Sequence, residues 1–116
     1  MTEPSNDRRI DYIEFGVADP AAAQRFYEAV FDWKFQSWGD DYLSFADGRL
    51  AGGFFRSDEV STGGPLVVIY ARDLEATQAA CVEHGATIAK EIFSFPGGRR
   101  FHFTDPCGCT LAVWSE

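Results

Sequence analysis

Cysteine is scarce in this chain of 116 residues, which holds three. An odd number that small gives no disulfide framework, so the thiols are expected to stay free in a reducing compartment. No apolar run approaches the roughly 18 to 20 residues of a membrane span. The opening MTEPSNDRR has no apolar segment behind its charges, so a cytoplasmic protein without membrane contact is expected. Basic residues are outnumbered, 10 Lys and Arg against 18 Asp and Glu, giving a net charge of -8. Such a surface repels a phosphate backbone, which excludes nucleic acid as a partner. It suits a cationic partner and plain solubility equally well. Also missing are a Gly-rich phosphate loop, a nucleophile elbow and a Ser/His/Asp constellation. What is present is core material: 46% hydrophobic and 16% aromatic residues, with eleven Phe, enough for one self-sufficient domain.

The chain is written twice in the same order. IDYIEFGV, from Ile10 to Val17, clusters apolar residues as a strand does, and Asp19-Pro20 then opens a helical run from Ala21 to Phe31. Asp is a good N-cap, and Pro loses nothing at the first helical position because its N–H would have been unpaired there. LVVIYA, from Leu66 to Ala71, repeats the strand, and Asp73 caps a second helical run from Leu74 to Glu83 that stops at His84-Gly85. The caps Asp19 and Asp73 stand 54 residues apart. Three strand-like runs follow each helix: WKFQSW, DYLSFA and LAGGFF, then ATIAKEIF, RRFHFT and CTLAVW. In these later runs the offset grows to 58, matching Phe45 to Phe103 and Asp47 to Asp105. The polar, Gly-rich SDEVSTGGP between the halves reads as a linker.

HFTDPCGCT, from His102 to Thr110, gathers one of the two histidines and two of the three cysteines. Asp105-Pro106-Cys107-Gly108 has the residue preferences of a type I turn, and a left-handed Gly108 adds the bulge of a three-residue hairpin loop. In that register Thr104 pairs with Thr110 and His102 with Ala112, leaving Phe101, Phe103, Leu111 and Val113 on the opposite, helix-covered face. No second cysteine pair completes a tetrahedral zinc site, and Cys81 on the second helix reads as a buried small apolar residue. The stretch is a turn before it is a thiol site.

The paired strand-helix-three-strand pattern, with VADPAAAQRFYEAVFDW in the first half and FTDPCGCTLAVW closing the second, resembles the vicinal oxygen chelate (VOC) superfamily of glyoxalase, bleomycin resistance and dioxygenase-like proteins. The resemblance implies an α+β fold of two βαβββ modules whose curved, cleft-shaped mixed sheet makes a single VOC domain over residues 1–116. Module 1 would cover about 9–56, the linker about 57–65 and module 2 about 66–116. Asp32 stands where the family commonly has Gly, which Asp can replace because it tolerates the left-handed conformation. The resemblance also implies a homodimer.

Metal-dependent members of the superfamily place His, Glu or Gln ligands on the first and last strand of each module. These positions map here to Tyr12, Leu66, Ala112 and Phe54, or Gly52 if the register slips by two. A divalent cation needs deprotonated N, O or S donors, which these residues do not supply. The expectation is therefore no metal and no cofactor. Alternation along the strands puts Tyr12, Glu14, Leu66, Val68, Tyr70, Ala112 and Trp114 on the cleft face, with Phe54 from the mapping and His102 from the hairpin register. Such a wall suits a small-molecule ligand and equally half of a hydrophobic core. Glu14 interrupts an apolar strand: it is an exposed position, a partner of Arg99 or Arg100, or, with His102, half of an acid and base pair. Arg99 and Arg100 are a solvated strand end or an anion contact at the rim. Trp33 and Trp38 are open to core packing or dimer contact.

Two readings follow. One is a metal-free, glyoxalase-like protein that binds a small molecule for resistance, sequestration or sensing, as bleomycin resistance proteins do with hydrophobic or cationic compounds. The other is an enzyme of lyase, isomerase or dioxygenase class acting through Glu14 and His102, or through a metal site not found by the mapping.

Overall fold

Each half begins with a strand that hands over to a helix at an aspartate. In the computed structural model, which describes Arg8, Ile10 and residues 12–59 and 64–116, Asp19 and Asp73 are both N-caps. Their side chains accept the backbone N–H of Ala22 and Ala76 at 3.3 and 3.0 Å. The first half runs β1 (Tyr12–Val17), α1 (Pro20–Phe31), β2 (Lys34–Ser37), β3 (Tyr42–Ala46) and β4 (Ala51–Arg56). The second runs β5 (Val68–Tyr70), α2 (Leu74–Glu83), β6 (Thr87–Phe95), β7 (Gly98–Thr104) and β8 (Thr110–Ser115). The α+β class and the doubled βαβββ order are those expected. Asp32 ends α1 in the left-handed region, with φ 58 and ψ 33.

The mixed sheet is present as two four-stranded sheets, ordered β1-β4-β3-β2 and β5-β8-β7-β6. In each, the first strand of the module lies parallel to the last. The β7–β8 hairpin has the register read from the sequence, Thr104 opposite Thr110 and His102 opposite Ala112. Gly108 takes φ 97, and the turn closes with Gly108 N–H to Asp105 C=O at 3.0 Å. Along β6 the register shifts twice, between Ile88 and Lys90 and again between Lys90 and Phe93. The first shift turns Lys90 to the face of His102 and the second restores the phase, so Ile88 and Ile92 stay against the core and Phe93 stays on the other side with Lys90, as bulges do when they re-aim a side chain.

A single apolar cluster unites the halves: Phe26 and Tyr27 of α1, Trp33, Phe45 and Phe54 from the first module, with Phe101, Phe103, Leu111 and Val113 from the second. Phe26 and Phe31 lie 5.8 and 6.0 Å, ring to ring, from Phe103 of β7. Helix α1 therefore covers the second sheet as well as its own, and the helix-facing sides of both sheets share one interior. Trp33 belongs to that interior, whereas Trp38 is 63% exposed.

At the join lies a buried carboxylate. Asp105 is 4% exposed. Its Oδ1 accepts the N–H groups of Cys107 and Cys109, both at 2.9 Å, and its Oδ2 accepts Tyr27 Oη–H from α1 at 2.8 Å. Burial pushes the Asp105 carboxyl up, against the pull of these donors. Burial, with the Asp105 charge behind it, raises the Tyr27 phenol well above 10.0. Tyr27→Phe leaves one carboxylate oxygen without its donor, so urea denaturation is expected to show a loss of about 1 to 3 kcal/mol with unchanged far-UV dichroism.

Candidate functional site

The sheet faces turned away from the helices carry most of the sequence-derived site. On the first, Glu14 of β1 lies opposite Gly53 of β4, which lies opposite Ser44 of β3. Tyr42 donates its Oη–H to Glu14 Oε2 at 2.8 Å, and Tyr12 Oη lies 2.5 Å from Tyr42 Oη. Gly53 makes this possible, because a Cβ there would come within 2.0 Å of Tyr42 Oη. Tyr42 thus lies flat across the strand and joins two tyrosines to one carboxylate. Burial, followed by the bonds to Tyr12 and Glu14, raises the Tyr42 pKa. Trp38 Nε1–H donates to Ser44 Oγ at 2.9 Å on the same face.

On the second sheet the outward face carries Val68 and Tyr70 of β5, Thr110, Ala112 and Trp114 of β8, and Arg100 and His102 of β7. Phe93 and Lys90 join it across from Arg100 and His102. Tyr70 packs edge-on to Trp114 at 5.2 Å, and His102 lies 5.8 Å from Phe93, ring to ring. His102 Nε2 is covered and accepts or donates no hydrogen bond among the described residues. Burial, with the Arg100 and Lys90 charges, lowers the His102 pKa from 6.5, so the imidazole is neutral at physiological pH.

Between the sheets, beside the edge of β1, a cavity of about 460 Å³ is lined by Ile13, Glu14, Leu66, Val67, Cys109 and Thr110, among others. Its size suits a small organic molecule. Cys109, 2% exposed, is pushed by burial up to about 12. Burial and Asp105 raise Cys107 to about 11, and burial takes Cys81 to about 12. All three sulfurs are thiols at neutral pH rather than nucleophilic thiolates.

Not every expected wall residue is where the sequence placed it. Phe54 is fully buried in the core, 5.4 Å from both Phe15 and Tyr27, ring to ring. Its neighbour Gly53 occupies the outward position. The first module's hairpin closes from Asp47 to Leu50, the second's from Asp105 to Cys109, so the second loop holds one more residue. The offset of 58 before the turn becomes 59 after it, making Gly53 the counterpart of Ala112, and one step along a strand turns a side chain to the other face. Glu14 is an exposed strand position, not a partner of either arginine: Arg99 pairs with Glu75 at 2.6 Å, and Arg100 lies against Phe93 and Phe95. Glu14 and His102 sit on different sheets and share no hydrogen bond. Sequence reasoning missed Tyr42 and Ser44, although their alternation with buried Leu43 and Phe45 marks them as outward. It also missed Lys90 and Phe93, which a regular β6 would not bring together.

Residues 9–113 match the family profile of the Glyoxalase/Bleomycin resistance protein/Dioxygenase superfamily. The chain belongs to that superfamily. No curated protein matches the sequence, but solved structures share the fold. A glyoxalase/bleomycin resistance protein/dioxygenase family enzyme from Burkholderia phytofirmans PsJN superposes with TM-score 0.79 at 16% identity, over 91% of this chain and 98% of its own. Lactoylglutathione lyase from Agrobacterium tumefaciens gives 0.73 at 19%, over 97% and 96%. A mutant of the fosfomycin resistance protein FosX from Listeria monocytogenes, complexed with Mn(II) and 1S,2S-dihydroxypropylphosphonic acid, gives 0.81 at 14%, over 93% and 90%.

The ion-holding positions that the sequence mapping draws from metal-dependent members fall on Tyr12, Leu66, Ala112 and, with the register corrected, Gly53. One phenol, two aliphatic side chains and a glycine do not fit a divalent cation. Among the described residues no three His, Cys, Asp or Glu side chains come together elsewhere.

Two outcomes are expected. Gly53→Ala should leave the fold intact and lift Tyr42 off Glu14, so that spectrophotometric titration shows one tyrosine returning toward 10.0. His102 has a depressed pKa when folded, so between that value and the unfolded 6.5 the unfolded chain binds more protons. Its contribution to stability is complete above 6.5 and is lost as pH falls through the folded pKa. Urea midpoints measured across this range should fall on acidification less steeply in His102→Gln.

Proposed function

We propose that this VOC chain binds a small organic molecule against its outward sheet faces, without a resident metal, in the service of sequestration, resistance or sensing in the cytoplasm. The observation that carries the reading is the make-up of those faces. Tyr12, Val68 and Tyr70 are 43%, 44% and 48% exposed, and they stand beside a few fixed polar groups, which is how small-molecule walls are built. The mapped ligand positions, by contrast, offer no donor set for an ion. The lyase and the fosfomycin resistance protein share the fold at 19% and 14% identity, which supports a common scaffold and leaves the chemistry to the side chains.

The two faces also differ in charge, with Glu14 on the first and Lys90 and Arg100 on the second. A homodimer that lays the first sheet of one copy over the second sheet of the other brings opposite charges together, as electrostatically complementary interfaces do. That arrangement also supplies the second reading. Glu14, held by Tyr42, and His102 lie on separate sheets of one chain, and a second copy would set them across one cleft as an acid and base pair.

Protein supplied with divalent ions and purified without chelators should carry far less than one equivalent of nickel, zinc or iron; stoichiometric metal overturns the proposal. In a thermal-shift screen of aromatic, cationic, anionic and thiol-conjugated compounds, at least one should raise the melting temperature, because a ligand of the folded state alone stabilises it. Alanine at Tyr12, Glu14 or His102 should shrink that shift. Mass spectrometry of the recovered compound separates the readings: unchanged ligand supports binding, and a converted product supports acid and base chemistry. Sedimentation should give twice the chain mass.

A further inference from the structure

The chain is acidic overall, yet on the outward face of the second sheet two cations, Lys90 and Arg100, gather among aromatic rings. Arg100 lies between Phe93 and Phe95, its guanidinium carbon 5.2 and 5.4 Å from the ring centroids. Lys90 Nζ lies 4.9 Å from the Phe93 centroid. Neither cation has an ion-pair partner among the described residues, and Arg100 Nε is a covered donor that hydrogen-bonds to nothing among them. Arg99, one residue away, lies on the opposite side and is neutralised by Glu75. Tyr70 donates its Oη–H to Glu116 Oε1 at 2.5 Å. Trp114 bridges the aromatic groups, 6.3 Å from Phe95 and 5.2 Å from Tyr70.

Both rings stand within cation–π reach of the guanidinium, and its Nε donor is covered without a partner among the described residues. A guanidinium is a planar fork of donors, which matches a planar anion with two oxygens. Around that fork stand half-buried aromatic rings, so the anion is one that carries a flat apolar body. The two irregularities of β6 are what bring Lys90 onto the face that carries Phe93.

We infer that Arg100, flanked by Lys90 and framed by Phe93, Phe95 and Trp114, binds the carboxylate of a small aromatic acid. The inference rests on the reading that the outward faces bind a small molecule, and it assigns the charge and shape of that molecule.

Calorimetric titration of the full chain with naphthoate tests it, with neutral naphthylmethanol, cationic naphthylmethylammonium and inorganic phosphate as matched probes. Naphthoate should bind at least about tenfold more tightly than the alcohol, the amine and phosphate, with an affinity that falls as salt rises. Arg100→Gln should weaken naphthoate about tenfold or more and leave the alcohol unchanged, Arg100→Lys should retain part of the affinity because it keeps the charge and loses the fork, and Lys90→Gln should cost a few-fold. Equal binding of naphthoate and the alcohol, or equal loss of both in Arg100→Gln, reduces the face to apolar packing and overturns the inference. Phosphate binding as tightly as naphthoate overturns it too, since the rings then have no part. Failure of naphthoate together with weakened self-association in Arg100→Gln gives Arg100 to the contact between copies and ends the inference. If naphthoate fails while other compounds of the thermal-shift screen bind, the small-molecule reading survives alone; if nothing binds, both fall.

Discussion

The hydrogen bond from Tyr27 to Asp105 fixes the relation between the two halves of this chain. Tyr27 sits on the helix of the first module, and Asp105 begins the last turn of the second. The same carboxylate holds that turn in shape by accepting from Cys107 and Cys109. A buried carboxylate is costly unless it is well supplied with donors, and here the donors come from both modules, so its requirement is met only when α1 is seated on the second sheet. Phe26 and Phe31 of that helix then pack against Phe103 of the second sheet. A covered interior shared by the two helix-facing sides follows, and so does the outward direction of the other two faces.

Those outward faces are alike in position and unlike in chemistry. The first carries a carboxylate bridged to two tyrosines across a glycine; the second carries two cations set among aromatic rings. A doubled fold supplies equivalent places, and the side chains at those places differ in charge between the two walls. The superfamily scaffold is kept, while the positions onto which its ion ligands map carry a phenol, a leucine, an alanine and a glycine. A shared fold leaves the chemistry to the side chains that line it.

Much of this is legible in the sequence because it depends on local rules. Asp19 and Asp73 cap their helices, Asp32 ends α1 in the left-handed region, and the residue preferences of DPCG set the register that pairs His102 with Ala112. Phe54 shows where legibility ends. Its expected outward position came from a constant offset between the halves, and one extra residue in the second hairpin shifted the count and reversed its face. Lys90 and Phe93 were beyond reach for a related reason: alternation assumes a regular strand, and β6 is not one. Tyr27's bond to Asp105, spanning 78 residues, leaves no trace in any local pattern.

The unevenness of β6 reaches beyond the Lys90 side chain it redirects. At nine residues it is the longest strand and lies at the rim of its sheet, where a flat, regular ribbon would invite a foreign backbone to hydrogen-bond alongside. Broken register and the charged Lys90-Glu91 step spoil that template, and the other rim strands, β1, β2 and β5, span six, four and three residues. Such rims are poor templates for the addition of a further strand, which is the usual route to stacking into fibrils.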